Sequence, residues 1–314
     1  MIRYKSIVKG AGSYFVKAFR KTGPGNEGVI SAEGTYAIFM RYLYALARIG
    51  LSFDDKVVVE FGPGSSYGMG IAALLSGARR YYAFDLVDET SHDRNLSILD
   101  ALGDMFANRV AIPRDGFCAR IFPFIDDPAF PTKLLPNALL ERTLHPDRLK
   151  AIRHDLATRG GVFIRARSSA DLDNAFIDEP ADIIASESVL EHVDDLKSIY
   201  AVFDRWLAPD GAMVHLIDYT SHNLSRHWNG HWQCSPFLWS LVRGKRHYLI
   251  NRMPHQVHID LLHANGLNVV YSDLLRRVDG LTRDQFSPEF RIMSPIDATT
   301  ALASITCRRA ERVT

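Results

Sequence analysis

The run Lys56-Val57-Val58-Val59-Glu60-Phe61 constrains the fold more than any other segment of this chain. It is short, almost wholly apolar and rich in β-branched side chains, with no alternation of apolar and polar positions. Such a run suits a strand buried on both faces, as in a parallel sheet covered by helices. The turn Gly62-Pro63-Gly64-Ser65-Ser66 follows, then a helical stretch, Gly70 to Ser76, and then Tyr81-Tyr82-Ala83-Phe84-Asp85, a second apolar strand that ends in an acid. This is a βαβ unit. Glycine at 62 and 64 lets the backbone approach a ligand that a side chain would hold away. In open α/β sheets the ligand lies beyond the carboxyl ends of the strands, at the switch point beside the first strand. A carboxylate at Asp85 would accept hydrogen bonds from a ribose diol, so a nucleoside is the expected ligand.

Further strands are predicted at Gly161 to Ile164, Ala181 to Ala185, Ala212 to Ile217, Leu267 to Tyr271 and Ala301 to Cys307. Helices are predicted at Ser31 to Ile49, Asp195 to Leu207 and Gln256 to Asn265. Strands alternating with helices predict an α/β fold around a parallel sheet. The chain divides into a basic segment and helical cap over residues 1–53 and a main domain over 54–314, with insertions at about 86–160 and 218–254. Connections beyond ~15 residues are uncommon inside a compact domain unless they serve function, so both insertions read as an acceptor lid, the first of them partly helical. The balance of 37 Lys+Arg against 36 Asp+Glu leaves no basic excess for a nucleic-acid partner. The scattered Cys118, Cys234 and Cys307 suit reduced thiols in a cytoplasmic protein. No apolar run reaches the ~18 residues of a membrane span, and Lys5, Lys9 and Lys17 leave no secretory apolar core. The basic N-terminus reads as a solvated tail. Its alternative is a peripheral contact with an anionic membrane surface, through Ile7, Tyr14, Phe15, Val16 and Phe19 among the basic residues.

A dinucleotide fingerprint needs a third glycine where this chain has Tyr67, and Glu60 would set a carboxylate near a pyrophosphate. Both features disfavour NAD and suit a cationic ligand, such as a sulfonium bearing an α-amino group. The later segment Ala181-Asp182-Ile183-Ile184-Ala185-Ser186-Glu187-Ser188-Val189-Leu190-Glu191-His192-Val193 completes a pattern. Together, the glycine turn, the strand-terminal Asp85 and this segment resemble the class I S-adenosylmethionine-dependent methyltransferases. Shorter phrases (Phe61 to Ser66, Ala72 to Ala78, Tyr82 to Asp85, Asp218 to His222 and Tyr248 to Arg252) resemble methyltransferases encoded in surface-polysaccharide clusters.

The resemblance implies a Rossmann-like, doubly wound, mostly parallel seven-stranded sheet with S-adenosylmethionine as cofactor. It implies that Glu60, Gly62 and Gly64 line the amino-acid end of the cofactor and that Asp85 binds the ribose hydroxyls. Arg167 and Ser168 would flank the adenine, while Ser186 and Glu187 would border the methyl group. The chain departs from the family pattern at Arg165-Ala166-Arg167-Ser168, which replaces the common acidic residue of the adenine loop.

The expected reaction is O-methylation of a small-molecule or saccharide acceptor. Alternatives are N- or C-methylation, or a cofactor-binding protein without methyl transfer. A hydroxyl acceptor needs a base within hydrogen-bond reach; His222, Asp218 and His192 are the candidates, in that order. No metal is expected, because the spacings of His222, His227 and His231, and of His255 and His258, give no ligand pair with an evident third member. These histidines, with Trp228, Trp232 and Trp239, read as a polar-aromatic acceptor pocket. The alternative is an aromatic satellite core.

Overall fold

The structure, a computed structural model, describes residues 2–14, 30–85, 90–116, 118, 124–158, 160–168, 177–246 and 249–310. Helix α1 spans Tyr4–Gly12 and α2 Ala32–Ala47. Strand β1 (Val57–Phe61), α3 (Gly68–Leu75) and β2 (Arg80–Asp85) form the first βαβ unit. Helices α4 (His92–Ala107), α5 (Asn137–Thr143) and α6 (Pro146–Thr158) lead to β3 (Ile164–Ser168). Then come β4 (Ala181–Glu187), α7 (Leu196–Trp206), β5 (Leu207–Asp218), α8 (Pro236–Arg243), α9 (His255–Ala264), β6 (Leu267–Arg276) and β7 (Thr300–Arg309). The seven strands lie in the order β3-β2-β1-β4-β5-β7-β6. Strands β3, β2, β1, β4 and β5 run parallel, and β7 is antiparallel to β5 and β6. The direction of strand succession reverses between β1 and β4, which locates the switch point.

Strand β1 is buried along its whole length because both faces are covered. Val57, Val59 and Phe61 face a core with Tyr200, Phe203 and Trp206 of α7, while Val58 faces a core with α2, α3 and α4. Ser31 caps α2, its hydroxyl accepting from the Gly34 N–H at 3.2 Å. Apart from Ala32, Glu33, Tyr44 and Ala47, every residue of this helix is buried, so the cap belongs to the main core rather than standing apart.

Three sequence expectations change. The insertion at 86–160 is largely a helical layer, not a lid: Leu99, Leu102 and Phe106 of α4 and Ile152 and Leu156 of α6 join the core. Their i, i+3, i+4 spacing gives each helix an apolar stripe to bury. Residues 86–89, 117, 119–123 and 159 of that insertion lie outside the described residues. Strand β3 begins at Ile164 rather than ending there, and Arg165 to Ser168 is strand rather than loop. It occupies the edge of the sheet, paired only with β2, and an edge strand tolerates the charged residues that hid it. The first residues are docked rather than free. Arg3 N–H donates to the Leu224 carbonyl at 2.8 Å, and Gly10 packs so tightly on α8 that a Cβ there would lie 2.1 Å from the Leu241 carbonyl oxygen. Phe15, Val16, Lys17, Phe19, Arg20 and Lys21 lie outside the described residues.

Candidate active site

The glycine turn after β1 closes on the end of β2. Gly62 has φ +77° and Gly64 φ +66°, conformations that side chains disfavour. The Gly64 N–H donates to Asp85 Oδ2 at 3.0 Å, fixing the carboxylate at the mouth of the switch-point crevice. At Gly64 an added Cβ would meet nothing within 4 Å; at Gly62 it would come within 2.5 Å of the Val189 side chain. The first glycine therefore serves the packing of Val189 on the turn, and the second leaves open space.

Glu60 differs from its expected role. It is 5% exposed and accepts a hydrogen bond from the Tyr81 hydroxyl. Burial pushes its carboxyl up to about 8, with Asp85 and Glu187 adding to the rise against the Tyr81 bond. It is an enclosed acid bonded to Tyr81 rather than a group open to the crevice. Tyr67 caps α3, its backbone N–H donating to Asn95 Oδ1 at 2.9 Å and its ring lying edge-on to Tyr81. Arg167 and Ser168 pair through their backbones with Phe84 and Asp85, which sets the end of β3 beside Asp85; their side chains lie outside the described residues.

At the end of β4, neighbouring residues turn to opposite faces. Ser186 points down into the core, its hydroxyl bonded to His215 Nδ1 at 2.8 Å, so its side chain does not border the methyl group as the resemblance implied. Glu187 points toward α2, where it accepts from Arg41 and, at 2.7 Å, from the Tyr42 hydroxyl. Arg41 is 1% exposed. A buried guanidinium of this kind needs a carboxylate partner, and the pairing locks the helical cap onto the carboxyl end of the sheet.

The three candidate bases meet. A 3-10 turn, Leu190–His192, follows β4, while β5 ends at Asp218 and the segment after it carries His222. The rings of His192 and His222 lie 4.9 Å apart, edge to face. His222 Nε2 is 3.6 Å from Asp218 Oδ2 and 3.9 Å from Glu191 Oε1. Glu191 is 3% exposed, and burial together with the Asp218 carboxylate holds it well above the usual carboxylate range, against the nearby backbone N–H groups of Glu191 and Asp218. His192 and His222 are both partly exposed, His222 with its side chain 30% exposed. Ser188, His222 and Asn223 all have positive φ, of 51°, 43° and 62°. Left-handed backbone at non-glycine residues costs about 1–3 kcal/mol each and collects at functional sites. Asn251 holds the 3-10 turn from behind: its N–H donates to the Glu191 carbonyl at 2.6 Å, and its side-chain amide donates to the carbonyls of Leu190 and Val193, both at 2.8 Å.

The remaining histidines and tryptophans of the second insertion, and His255 and His258 of α9, are mostly enclosed rather than lining an open pocket. Trp228, Trp232, Trp239, His231, His255 and His258 are buried, and Trp232 meets Trp228 and Phe286 edge-on and His231 at a tilt. Trp228 and Trp232 join the main core on the α7 face of the sheet, and only Trp239 lies in a smaller cluster, with Ile2, Leu224 and Ile250. His227 is exposed.

Residues 36–272 match the family model described as a methyltransferase domain. The chain belongs to that family. This methyltransferase is an enzyme, and S-adenosylmethionine is its methyl donor. Solved structures similar to it include a protein assigned as a sarcosine dimethylglycine methyltransferase from Galdieria sulphuraria, 12% identical, with a TM-score of 0.48, covering 98% of this chain and 99% of that one. An S-adenosylmethionine-dependent methyltransferase from Mesorhizobium loti is 13% identical, with a TM-score of 0.42, covering 86% and 98%. Another, from Clostridium acetobutylicum, is 11% identical, with a TM-score of 0.42, covering 88% and 91%. Among curated proteins nothing matches the chain. Membership of the family rests on the match over residues 36–272.

The crevice of the methyltransferase fits its donor. Open space lies against the backbone at Gly64, and the Asp85 carboxylate, held by the Gly64 N–H, stands beside it at the tip of β2. Sequence reasoning left Glu191, Asn251 and Arg41 without roles. Glu191 carried a signal, as an acid beside His192 in an otherwise apolar stretch. Asn251 and Arg41 carried none, since Asn251 acts 58 and 61 residues away and Arg41 146 residues away.

Proposed function

We propose that this methyltransferase transfers the methyl group of S-adenosylmethionine to a hydroxyl of a small-molecule or saccharide acceptor, at the cluster of Glu191, His192, Asp218 and His222. The observation that carries this reading is the convergence of His192, Asp218 and His222 at the carboxyl ends of β4 and β5, beside the strand ends that bear the glycine turn. The donor supplies a methyl group activated on a sulfonium. This chain's residues orient the two reactants, since in-line positioning supplies much of the rate of such a displacement. A hydroxyl is a weak nucleophile until its proton leaves. His222, its side chain 30% exposed, is the group in line to receive that proton, with Asp218 beside it to offset the charge. Gly64 and Asp85 hold the donor, and the Arg41–Glu187 pair closes the crevice on the side of α2.

The test is release of S-adenosylhomocysteine, with the methylated product located by mass spectrometry, across a panel of hydroxyl-, amine- and carbon-acid acceptors. Turnover confined to hydroxyl acceptors is the expected result. Turnover on amines alone would replace O- with N-methylation, and binding of the donor with no transfer to any acceptor would favour a cofactor-binding protein.

The exposed face of α1, where Tyr4 and Val8 stand among Lys5 and Lys9, supports a peripheral contact with an anionic lipid surface, which would suit a lipid-linked saccharide. Among the described residues no helix is long and apolar enough to cross a membrane.

A further inference from the structure

The edge cluster has a composition that proton transfer alone does not need. Glu191, His192 and His222 each offer one ligand atom, and these atoms all lie within 4.8 Å of one another. A four-coordinate zinc ion with bonds of about 2.0–2.2 Å sets neighbouring ligand atoms roughly 3.4 Å apart, so closing the set takes about an ångström of side-chain movement. His222 has the room for it, being partly exposed. The second observation is Glu191 itself. Both its oxygens are enclosed, and no donor reaches either in good hydrogen-bond geometry; the backbone N–H groups of Glu191 and Asp218 lie nearby but poorly aligned. An enclosed carboxylate without hydrogen bonds is costly unless something positive faces it. No Lys or Arg supplies that charge within 4.0 Å among the described residues: the group that approaches Glu191 is His222, at 3.9 Å, and the next carboxylate, Asp218, adds to the negative side. The turn that carries Glu191 and His192 is also clamped by the three hydrogen bonds of Asn251, as a ligand-bearing turn has to be.

We propose that Glu191, His192 and His222 bind a divalent transition-metal cation, with its remaining position open to the acceptor hydroxyl on the exposed side of His222. Two imidazoles and one carboxylate, with one position left open, make a donor set suited to zinc-like ions in a reactive role. The inference rests on the cluster being the acceptor end. A cation there takes over from His222 the task of making the hydroxyl acidic. The metal-bound hydroxyl loses its proton to bulk water and its oxygen forms the new bond to the methyl carbon. The sulfur–methyl bond breaks with its electron pair going to sulfur, which leaves an ether and neutral S-adenosylhomocysteine.

The test titrates the full chain, saturated with S-adenosylhomocysteine, with Co2+, read by calorimetry and by the visible absorption that intensifies when Co2+ enters a site of low coordination number. One equivalent is expected, with Glu191→Gln and His192→Ala each weakening affinity by roughly 100-fold or more, above the 10–100-fold cost of losing an outer-shell partner. His227→Ala, exposed and outside the cluster, should leave affinity unchanged. Circular dichroism and S-adenosylhomocysteine affinity certify the fold of each variant, and His222→Gln replaces Glu191→Gln if the buried substitution does not fold. Absence of Co2+ binding by wild-type protein that binds S-adenosylhomocysteine would overturn the site, as would affinity that all cluster variants retain. Methyl transfer that persists in excess chelator would remove the cation and leave O-methylation standing. Intact Co2+ binding without transfer to any hydroxyl would do the reverse.

Discussion

The histidines beneath the sheet and those at its carboxyl edge differ in their partners. His215 bonds Ser186 at 2.8 Å, His258 bonds Tyr200 at 2.9 Å, and His255 bonds Tyr219 at 3.2 Å and Ser272 at 3.0 Å, every partner a hydroxyl. Burial pushes His215 down to about 3, and burial with the neighbouring His255 and His215 does the same to His258. At the edge, His192 and His222 stand with Glu191 and Asp218, and His222 opens to solvent. A hydroxyl satisfies one nitrogen of a neutral ring and no more, whereas a carboxylate can also balance a positive charge, on a proton or on a metal. The same side chain is therefore packing material in one region and chemistry in the other. Partner and opening decide which.

Turnover should separate the two regions most. His222→Gln should lower kcat by about 10²–10⁴-fold and leave S-adenosylhomocysteine affinity nearly unchanged, whereas His258→Asn should lower the melting temperature and leave kcat within roughly threefold. Steady-state kinetics beside thermal melts check both, and an equal loss of kcat in the two variants would erase the contrast.

The pH dependence of stability comes next in size. Below the unfolded value of about 6.5, the unfolded chain binds protons at His215 and His258 that the folded chain refuses until about 3. Their contribution is present above pH 6.5 and is lost as pH falls toward 3, each adding a slope of about 1.4 kcal/mol per pH unit in that window. Denaturant titrations between pH 7.5 and 5 should find that His258→Asn reduces the slope by about one proton. An unchanged slope would mean that His258 already titrates in the folded protein.

The smallest effect should come from the support of the edge cluster. Asn251→Leu removes the side-chain bonds to Leu190 and Val193 but keeps the backbone bond to Glu191. Loosening the turn should lower kcat on the order of tenfold, in keeping with the sensitivity of displacement to sub-ångström placement, while S-adenosylhomocysteine affinity stays the same. A fall in both would make Asn251 a residue of the whole crevice rather than of the acceptor end.

Much of the frame was legible in the residues. The apolar runs of β1, β2, β4 and β5 announced strands covered on both faces, Ser31 marked the start of α2, and Gly64 with Asp85 marked the crevice. The edge strand β3 was misplaced because its residues are polar where the sheet meets solvent. The histidines and tryptophans of residues 218–254 suggested a pocket because polarity and aromaticity read alike whether a side chain is enclosed or open. Only burial separated His231 and His258 from His222.

The sequence by itself determined the strand–turn–helix at the switch point, since hydrophobic period, glycine backbone freedom and a strand-terminal acid act over a few neighbouring residues. It also named His192, Asp218 and His222, because residues just past strand ends must stand at the carboxyl edge of a parallel sheet. Only the tertiary structure decided that these meet one another and Glu191, that Ser186 turns inward to His215, and that Arg41 pairs with Glu187 across 146 residues. Each of those outcomes depends on which strands become neighbours and on the face each side chain takes, and the order β1-β4-β5 brings together segments that the chain itself keeps apart.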